Sequence, residues 1–131
     1  MIGLDTNILV RYFAKDDPHQ SAIAVRIVQS RTPSDPGWVS LPVLVELVWV
    51  LGRSYRQRRS AISHALDILV SSREIVIERE DIVMNALSLF RDGRADFADC
   101  LIWHLAQAAG CNRIVTFDRA SARDTGMELL T

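Results

Sequence analysis

Two aspartates stand three residues apart in the stretch GRADFADCLIWHLAQAAG, at the front of an apolar helix pattern over residues 98–109. At this spacing Asp96 and Asp99 share one face of a helix, where carboxylate oxygens can hold a divalent cation. Helix starts also favour acids without any function, because unpaired N–H groups and the helix dipole attract negative charge. In that interpretation Asp96 caps the helix and Asp99 lies in its first turn. The pair alone leaves both interpretations open.

Two further aspartates directly follow strand-like apolar runs. Asp5 follows residues 1–4, and Asp118 follows the run at 113–117. In open parallel α/β sheets, sites form beyond the carboxyl ends of the strands, and the start of a helix preceding such a strand lies near the same edge. We therefore expect these aspartates and the helix-start pair at one edge. Local alternatives remain: Asp5 as a helix cap and Asp118 as the first residue of a turn.

Glu46 is surrounded by apolar residues in the stretch SLPVLVELVWVLG. A helix with so few polar residues exposes little surface, and burying an ion without a partner is costly. Glu46 therefore either occupies the narrow exposed side of this helix or faces a polar site at the end of the core. We favour the polar site. Clustered carboxylates repel one another, a divalent cation relieves that repulsion, and oxygen ligands without a His or Cys cluster favour Mg²⁺ or Mn²⁺ over zinc.

The elements that position these acids follow from hydrophobic periodicity and from Pro and Gly signals. Short apolar strands alternate with helices, which predicts an α/β protein with a mainly parallel sheet. Helices are predicted at 6–14, from 18 to about 30, at 41–52 (closed by Gly52), from about 60, at 81–91 and at 98–109, with a short helix or turn after Asp118. Strands are predicted at 1–4, 38–39, 75–77, 113–117 and 128–130.

Composition narrows the class of protein. The 131 residues suit one domain, and 49% hydrophobic with 24% charged residues is an ordinary globular profile. The net charge of −1 provides no overall positive field for nucleic acid, although a local basic patch can serve. The two cysteines show neither metal-ligand nor disulfide spacing and are interpreted as buried, reduced thiols. With no signal peptide and no apolar run long enough to span a bilayer, a cytoplasmic protein without membrane contact is predicted.

Four segments, LDTNILVRY, LVELVWVL, DFADCLI and TFDR, occur in this order in a chain of this length. Together they resemble the PIN-domain ribonucleases, specifically the VapC toxins of type II toxin–antitoxin systems. The resemblance covers essentially the whole chain and implies a single PIN domain over residues 1–131. It also implies a three-layer α/β/α sandwich with a central, mainly parallel sheet.

The resemblance implies an endoribonuclease that requires Mg²⁺, or alternatively Mn²⁺, and leaves a 5′-phosphate and a 3′-hydroxyl. The family's acidic positions match Asp5, Glu46, Asp99 and Asp118, with Asp96 as the additional acid of many members. Asp5 and Asp99 are expected to ligate the principal metal. The other three acids would complete the site directly, through water or by holding a second ion.

Polar and basic residues near these acids are candidates for binding RNA. Asn7 and Thr116 match polar positions of the family and would orient carboxylates or touch a phosphate, with local capping as the alternative. In the basic stretch RSYRQRRS, Arg53 and Arg56 are candidates to pair phosphates or stack on bases. A solvated helix junction is the alternative for that stretch.

The resemblance also implies a homodimer and a VapB-type antitoxin whose tail covers the site. Transfer, ribosomal and messenger RNA all remain open as substrates. A catalytically silent PIN-like protein that binds RNA or a partner is the main alternative. A haloacid-dehalogenase-like phosphatase would need a second aspartate where Asn7 stands, and a response-regulator receiver would need a phosphoacceptor aspartate and a later lysine that are both missing.

Overall fold

The computed structural model describes all residues from 1 to 131. The chain forms two compact units, Met1–Glu80 (unit 1) and Asp81–Thr131 (unit 2). None of the seven helices combines the length and the apolar character that crossing a bilayer requires.

Unit 1 contains a parallel three-stranded sheet in the order β1-β2-β3 and four helices. Gly37 pairs with Ile2 on one side and with Ile75 on the other. A Cβ atom at position 37 would lie 2.7 Å from the Cδ1 atom of Leu4, so glycine permits the close packing of this central strand. The elements are β1 (Ile2–Gly3), α1 (Thr6–Ala14), α2 (Pro18–Gln29), β2 (Gly37–Val39), α3 (Leu41–Arg53), α4 (Arg59–Ser71) and β3 (Ile75–Ile77).

Side-chain caps begin three of the four helices of unit 1, whereas α4 begins after Arg58 without one. Asp17 caps α2, with Pro18 in the first turn and the Asp17 side chain accepting from the Gln20 N–H at 3.0 Å. The predicted end of α3 at Gly52 is wrong. The helix continues to Arg53, because Gly52 keeps helical hydrogen bonding and Ser54 is the cap residue.

The apolar core of unit 1 lies between the sheet and the helices. Leu9, Val39 and Leu47 are fully buried, and α1 contacts both α2 and α3. Other buried apolar residues of the unit are Leu4, Val10, Ala24, Leu44, Val48, Leu51, Ile62, Ala65, Leu66, Leu69, Ile75 and Ile77.

Unit 2 consists of three helices and a parallel pair of strands, and its core centres on Phe97. That side chain is fully buried and meets Phe90 edge-on, with ring centroids 5.7 Å apart. The elements are α5 (Glu80–Asp92), α6 (Phe97–Ala108), β4 (Val115–Thr116), α7 (Arg119–Asp124) and β5 (Glu128–Leu129). Gly110, with φ of +92°, follows the end of α6 as predicted.

The α/β class with parallel strand pairing is confirmed. Two further local predictions are wrong. β4 contains two residues rather than the five predicted, so Phe117 lies beyond it. Cys100 is buried as expected, but Cys111 is exposed, because it follows Gly110 outside the core.

Candidate carboxylate site

Asp5 lies two residues beyond β1 and is the N-cap residue of α1. Its extended backbone (φ −80°, ψ 164°) lets the Oδ1 atom accept from the Thr6 N–H at 2.8 Å. The capping interpretation of Asp5 is thus confirmed, but capping uses one carboxylate oxygen. The Oδ2 atom accepts no hydrogen bond from the chain, and the residue is exposed. Capping therefore orients a carboxylate whose second oxygen remains available.

Glu46 lies on α3 between the buried residues Leu44 and Leu47. It is exposed and makes no hydrogen bond or ion pair within the chain. The sequence left two positions open for Glu46, and in the structure it lies on the exposed side of α3. An exposed carboxylate in a strongly apolar helix has no evident role in folding, and its role as a ligand stays a prediction.

In unit 2, Ser121 connects Asp99 with Asp118. The Ser121 hydroxyl donates to Oδ2 of Asp99 at 2.7 Å, and its backbone N–H donates to Oδ1 of Asp118 at 3.0 Å. Asp118 is the N-cap residue of α7, rather than the first residue of an isolated turn. Thr116 stabilises this corner, since its hydroxyl oxygen accepts from the Asp118 N–H at 3.0 Å. One oxygen of each carboxylate is thereby held by a protein donor, while the other oxygen accepts none.

Asp96 and Asp99 occupy the positions that both interpretations of the helix start expected. Asp96 is the exposed N-cap residue of α6, and Asp99 lies in the first turn. The Asp96 side chain makes no capping hydrogen bond, although its carbonyl accepts from the Cys100 N–H at 3.0 Å. Side-chain capping therefore does not account for the choice of aspartate at position 96.

The donor chemistry of these acids fits a hard divalent cation, because each contributes carboxylate oxygens, which are the ligands that Mg²⁺ and Mn²⁺ prefer. Asp5, Asp99 and Asp118 each present one oxygen that accepts nothing from the chain. In neither unit do three or more His, Cys, Asp or Glu side chains gather as a metal-binding group. In unit 2, Ser121 joins two of these acids, Asp99 and Asp118.

The residues predicted to bind RNA differ in their surroundings. The Thr116 hydroxyl accepts from the Asp118 N–H, which is the local-capping alternative, and its contact with a phosphate stays a prediction. Asn7 is exposed and lines a cavity of about 230 Å³ between α1 and α2, together with Arg11, Gln20 and Ile23. The Asn7 amide makes no hydrogen bond within the chain. It is therefore available to a ligand and does not act as a cap.

The basic segment between α3 and α4 is partly anchored. Tyr55 donates to Asp16 at 2.7 Å and accepts from Arg11 at 3.0 Å, and the bond to Asp16 raises the pKa of the Tyr55 hydroxyl. Arg53 lies over the Trp49 ring, 5.9 Å from its centroid. Arg56 is exposed with a positive φ of 52°. The two arginines thus lie on the surface beside a fixed tyrosine.

Two residues of unit 2 were missed by the sequence analysis. The cap bond of Ser121 follows from the spacing of Asp118 and a serine three residues later, but its bond to Asp99 spans 22 positions and has no local signal. Phe117 was assigned to the strand as an apolar residue. It is 82% exposed, between Thr116 and Asp118.

Comparison with known proteins gives three findings. The family model of the PIN domain matches residues 2–126, a range that includes all five candidate acids. A VapC ribonuclease from Aquifex aeolicus (strain VF5) is 22% identical over 116 residues, which cover 88% of this chain and 86% of the relative. The crystal structure of Mycobacterium tuberculosis VapC20, described as a sarcin-ricin loop cleaving toxin, is 19% identical, with a TM-score of 0.47 and 94% of both chains covered.

Proposed function

Because the chain belongs to the PIN domain family, we propose that it is a Mg²⁺- or Mn²⁺-dependent endoribonuclease and the toxin of a type II toxin–antitoxin pair. Similarity to a VapC ribonuclease over most of both chains supports the ribonuclease activity and the toxin role. The observation that supports the metal-dependent mechanism is the hydrogen bonding of three aspartate carboxylates. Asp5, Asp99 and Asp118 are each oriented through one oxygen and leave the other without a protein donor.

In this proposal Asp5 and Asp99 are the principal cation ligands, and Glu46, Asp96 and Asp118 complete the binding directly or through water. When bound, Mg²⁺ or Mn²⁺ makes water a stronger nucleophile at neutral pH and neutralises charge that develops on the phosphate. The protein itself contributes by orienting the carboxylates before the cation binds. The Thr6 N–H holds the Asp5 carboxylate, and Ser121 holds those of Asp99 and Asp118, so little reorganisation is needed on binding.

The reaction proposed is hydrolysis of a phosphodiester bond within RNA. The water oxygen forms a bond to phosphorus, the bond from phosphorus to the 3′-oxygen breaks, and that oxygen takes up a proton. The products carry a 5′-phosphate and a 3′-hydroxyl, as the resemblance implies. Candidate contacts to the RNA are Asn7, Thr116, Arg53 and Arg56, to which the exposed ring of Phe117 is added.

The partners follow from the same similarity. We expect a VapB-type antitoxin to supply a basic side chain to the acidic residues, since an arginine that pairs with carboxylates competes with the cation. We also expect a homodimer of this chain, a single PIN domain per chain, and a cytoplasmic location where RNA is accessible.

The experiment compares Asp5→Asn with Asp17→Asn, because both aspartates are N-cap residues of helices in unit 1 and asparagine retains the capping function. Purified proteins are incubated with total cellular RNA in Mg²⁺, in Mn²⁺ or with chelator. We expect discrete fragments from the wild type and from Asp17→Asn, no fragments with chelator, and at least a 100-fold loss of cleavage in Asp5→Asn and Asp99→Asn. Sequencing of the fragments identifies the RNA.

Cleavage that persists in chelator would contradict the metal requirement. Equal cleavage by Asp5→Asn and Asp17→Asn would contradict the role of Asp5 or reveal a contaminating nuclease. Binding of RNA without cleavage would favour the silent, RNA-binding alternative.

A further inference from the structure

Ser121 is buried, with 4% of its surface exposed, and it donates to two carboxylates through different groups. Its hydroxyl donates to Asp99 and its backbone N–H to Asp118, at 2.7 and 3.0 Å. The N–H bond is ordinary capping of α7. The hydroxyl bond connects α7 to the first turn of α6 and plays no part in capping.

The position of Ser121 is itself fixed. The Thr125 hydroxyl donates to the Ser121 carbonyl at 2.6 Å, and the Met127 N–H donates to the Thr125 oxygen at 3.1 Å. Both bonds hold the backbone of α7 and the segment that leads to β5. The Ser121 hydroxyl therefore approaches Asp99 from a rigid base, and the direction of its hydrogen bond restricts rotation of the Asp99 carboxylate.

We propose that Ser121 is a positioning residue that holds the Asp99 carboxylate in the orientation needed to bind the cation. The inference rests on the proposed function, because it assumes that Asp99 is a ligand. Oδ2 of Asp99 accepts the hydroxyl bond, and Oδ1 of Asp99 has no protein donor. The backbone N–H likewise leaves Oδ2 of Asp118 without a protein donor, and no substitution other than proline removes that N–H.

This arrangement makes the hydroxyl and the backbone N–H experimentally separable. Ser121→Ala removes the bond to Asp99 and retains the cap bond to Asp118. Loss of a hydrogen bond that orients a metal ligand typically lowers metal affinity by roughly 10- to 100-fold. Ser121→Thr restores a hydroxyl at the same position and should regain most of that affinity.

The matched control is Thr125→Val, which removes a side-chain bond of α7 that touches neither carboxylate. The Thr125 backbone N–H still donates to the Ser121 carbonyl at 3.0 Å in this variant, so Ser121 should keep its position. Binding of Mn²⁺ alone is measured by isothermal titration calorimetry for the wild type and the three variants, with thermal unfolding as a check on folding. RNA cleavage is then measured against Mn²⁺ concentration. We expect Ser121→Ala to weaken Mn²⁺ binding at least 10-fold and to raise the Mn²⁺ concentration for half-maximal cleavage equally, with kcat at saturating Mn²⁺ within about 3-fold of wild type.

Unchanged Mn²⁺ affinity in Ser121→Ala would overturn the inference while leaving the proposed function intact. Equal weakening in Ser121→Ala and Thr125→Val would also overturn it, since Ser121 would then act through the stability of α7. A wild-type protein that neither binds Mn²⁺ nor requires it for cleavage would instead overturn the metal dependence of the proposed function. If Ser121→Thr does not fold, the comparison of Ser121→Ala with Thr125→Val still tests whether Ser121 positions the Asp99 carboxylate.

Discussion

The hydroxyl of Tyr55 donates to Oδ2 of Asp16 at 2.7 Å, across 39 positions of the chain. This bond ties the segment between α3 and α4 to the segment between α1 and α2. Arg11 completes the group by donating to both residues, at 3.0 Å to Tyr55 and 2.9 Å to Asp16. A basic segment that would otherwise be a loose loop is thereby anchored beside α1, the helix that Asp5 caps.

Tyr55→Phe should lower the thermal stability of the protein modestly, by about 3 °C in Tm, because it removes the bond to the Asp16 carboxylate and the bond accepted from Arg11 near the protein surface. The Tyr55 bond holds the pKa of Asp16 below its usual value of 3.8. A carboxyl group whose pKa is lower in the folded chain than in the unfolded chain stabilises the fold at pH values above the unfolded pKa. This stabilisation is lost as the pH falls through the pKa of the folded chain. The difference in Tm between wild type and variant should therefore be full at pH 5–7 and shrink below about pH 3.8. A difference that grows on acidification would contradict this assignment.

Glu46→Gln should reduce RNA cleavage at least 10-fold and leave Tm within about 1 °C of the wild type. The exposed Glu46 side chain makes no bond that folding could lose, so an effect on activity reports a role in the chemistry. Glu80→Gln is the matched control, as Glu80 is another exposed glutamate on a helix. Both variants are measured by single-turnover cleavage and by thermal unfolding. Unimpaired cleavage in Glu46→Gln would assign Glu46 to the solvated helix face.

Phe117→Ala should raise the KM for RNA by roughly 5-fold or more and change kcat little, because stacking of one base on an aromatic ring contributes about 1–3 kcal/mol to binding. Phe117 is 82% exposed and directly precedes Asp118, so removing its ring opens no cavity in the core. Met84→Ala controls for loss of exposed apolar surface, since Met84 is 55% exposed in the same unit. Steady-state cleavage of the RNA identified by sequencing gives both constants. Equal KM values for the two variants would exclude a specific contact at Phe117.

Element order was predictable because local signals agree with the fold along most of the chain. Asp17 with Pro18 begins α2 and Gly110 follows the end of α6, as backbone preferences dictate. Gly52 shows the limit of such signals. Its neighbours Leu51 and Ile62 are buried, and packing keeps this glycine helical where propensity alone favours an end.

The sequence predicted which residue types form the candidate site, but not the hydrogen bonds that join them. Asp5 and Asp118 were identified from the strands that precede them. The bond from Ser121 to Asp99 depends on how α6 and α7 pack, and no pattern within a few residues of either position encodes it. The exposure of Phe117 was missed for a similar reason, because an apolar side chain at a strand end looks the same in sequence whether it faces the core or water.

The contrast between the two cysteines has a practical consequence. Cys100 is fully buried and Cys111 is exposed, so a maleimide dye should label the native chain at one position without any engineering. The same accessibility lets two chains become crosslinked through Cys111 when reductant is absent. Size-exclusion chromatography of reduced and oxidised samples, beside Cys111→Ser, would then separate a covalent pair formed during purification from an association that the folded surfaces support by themselves.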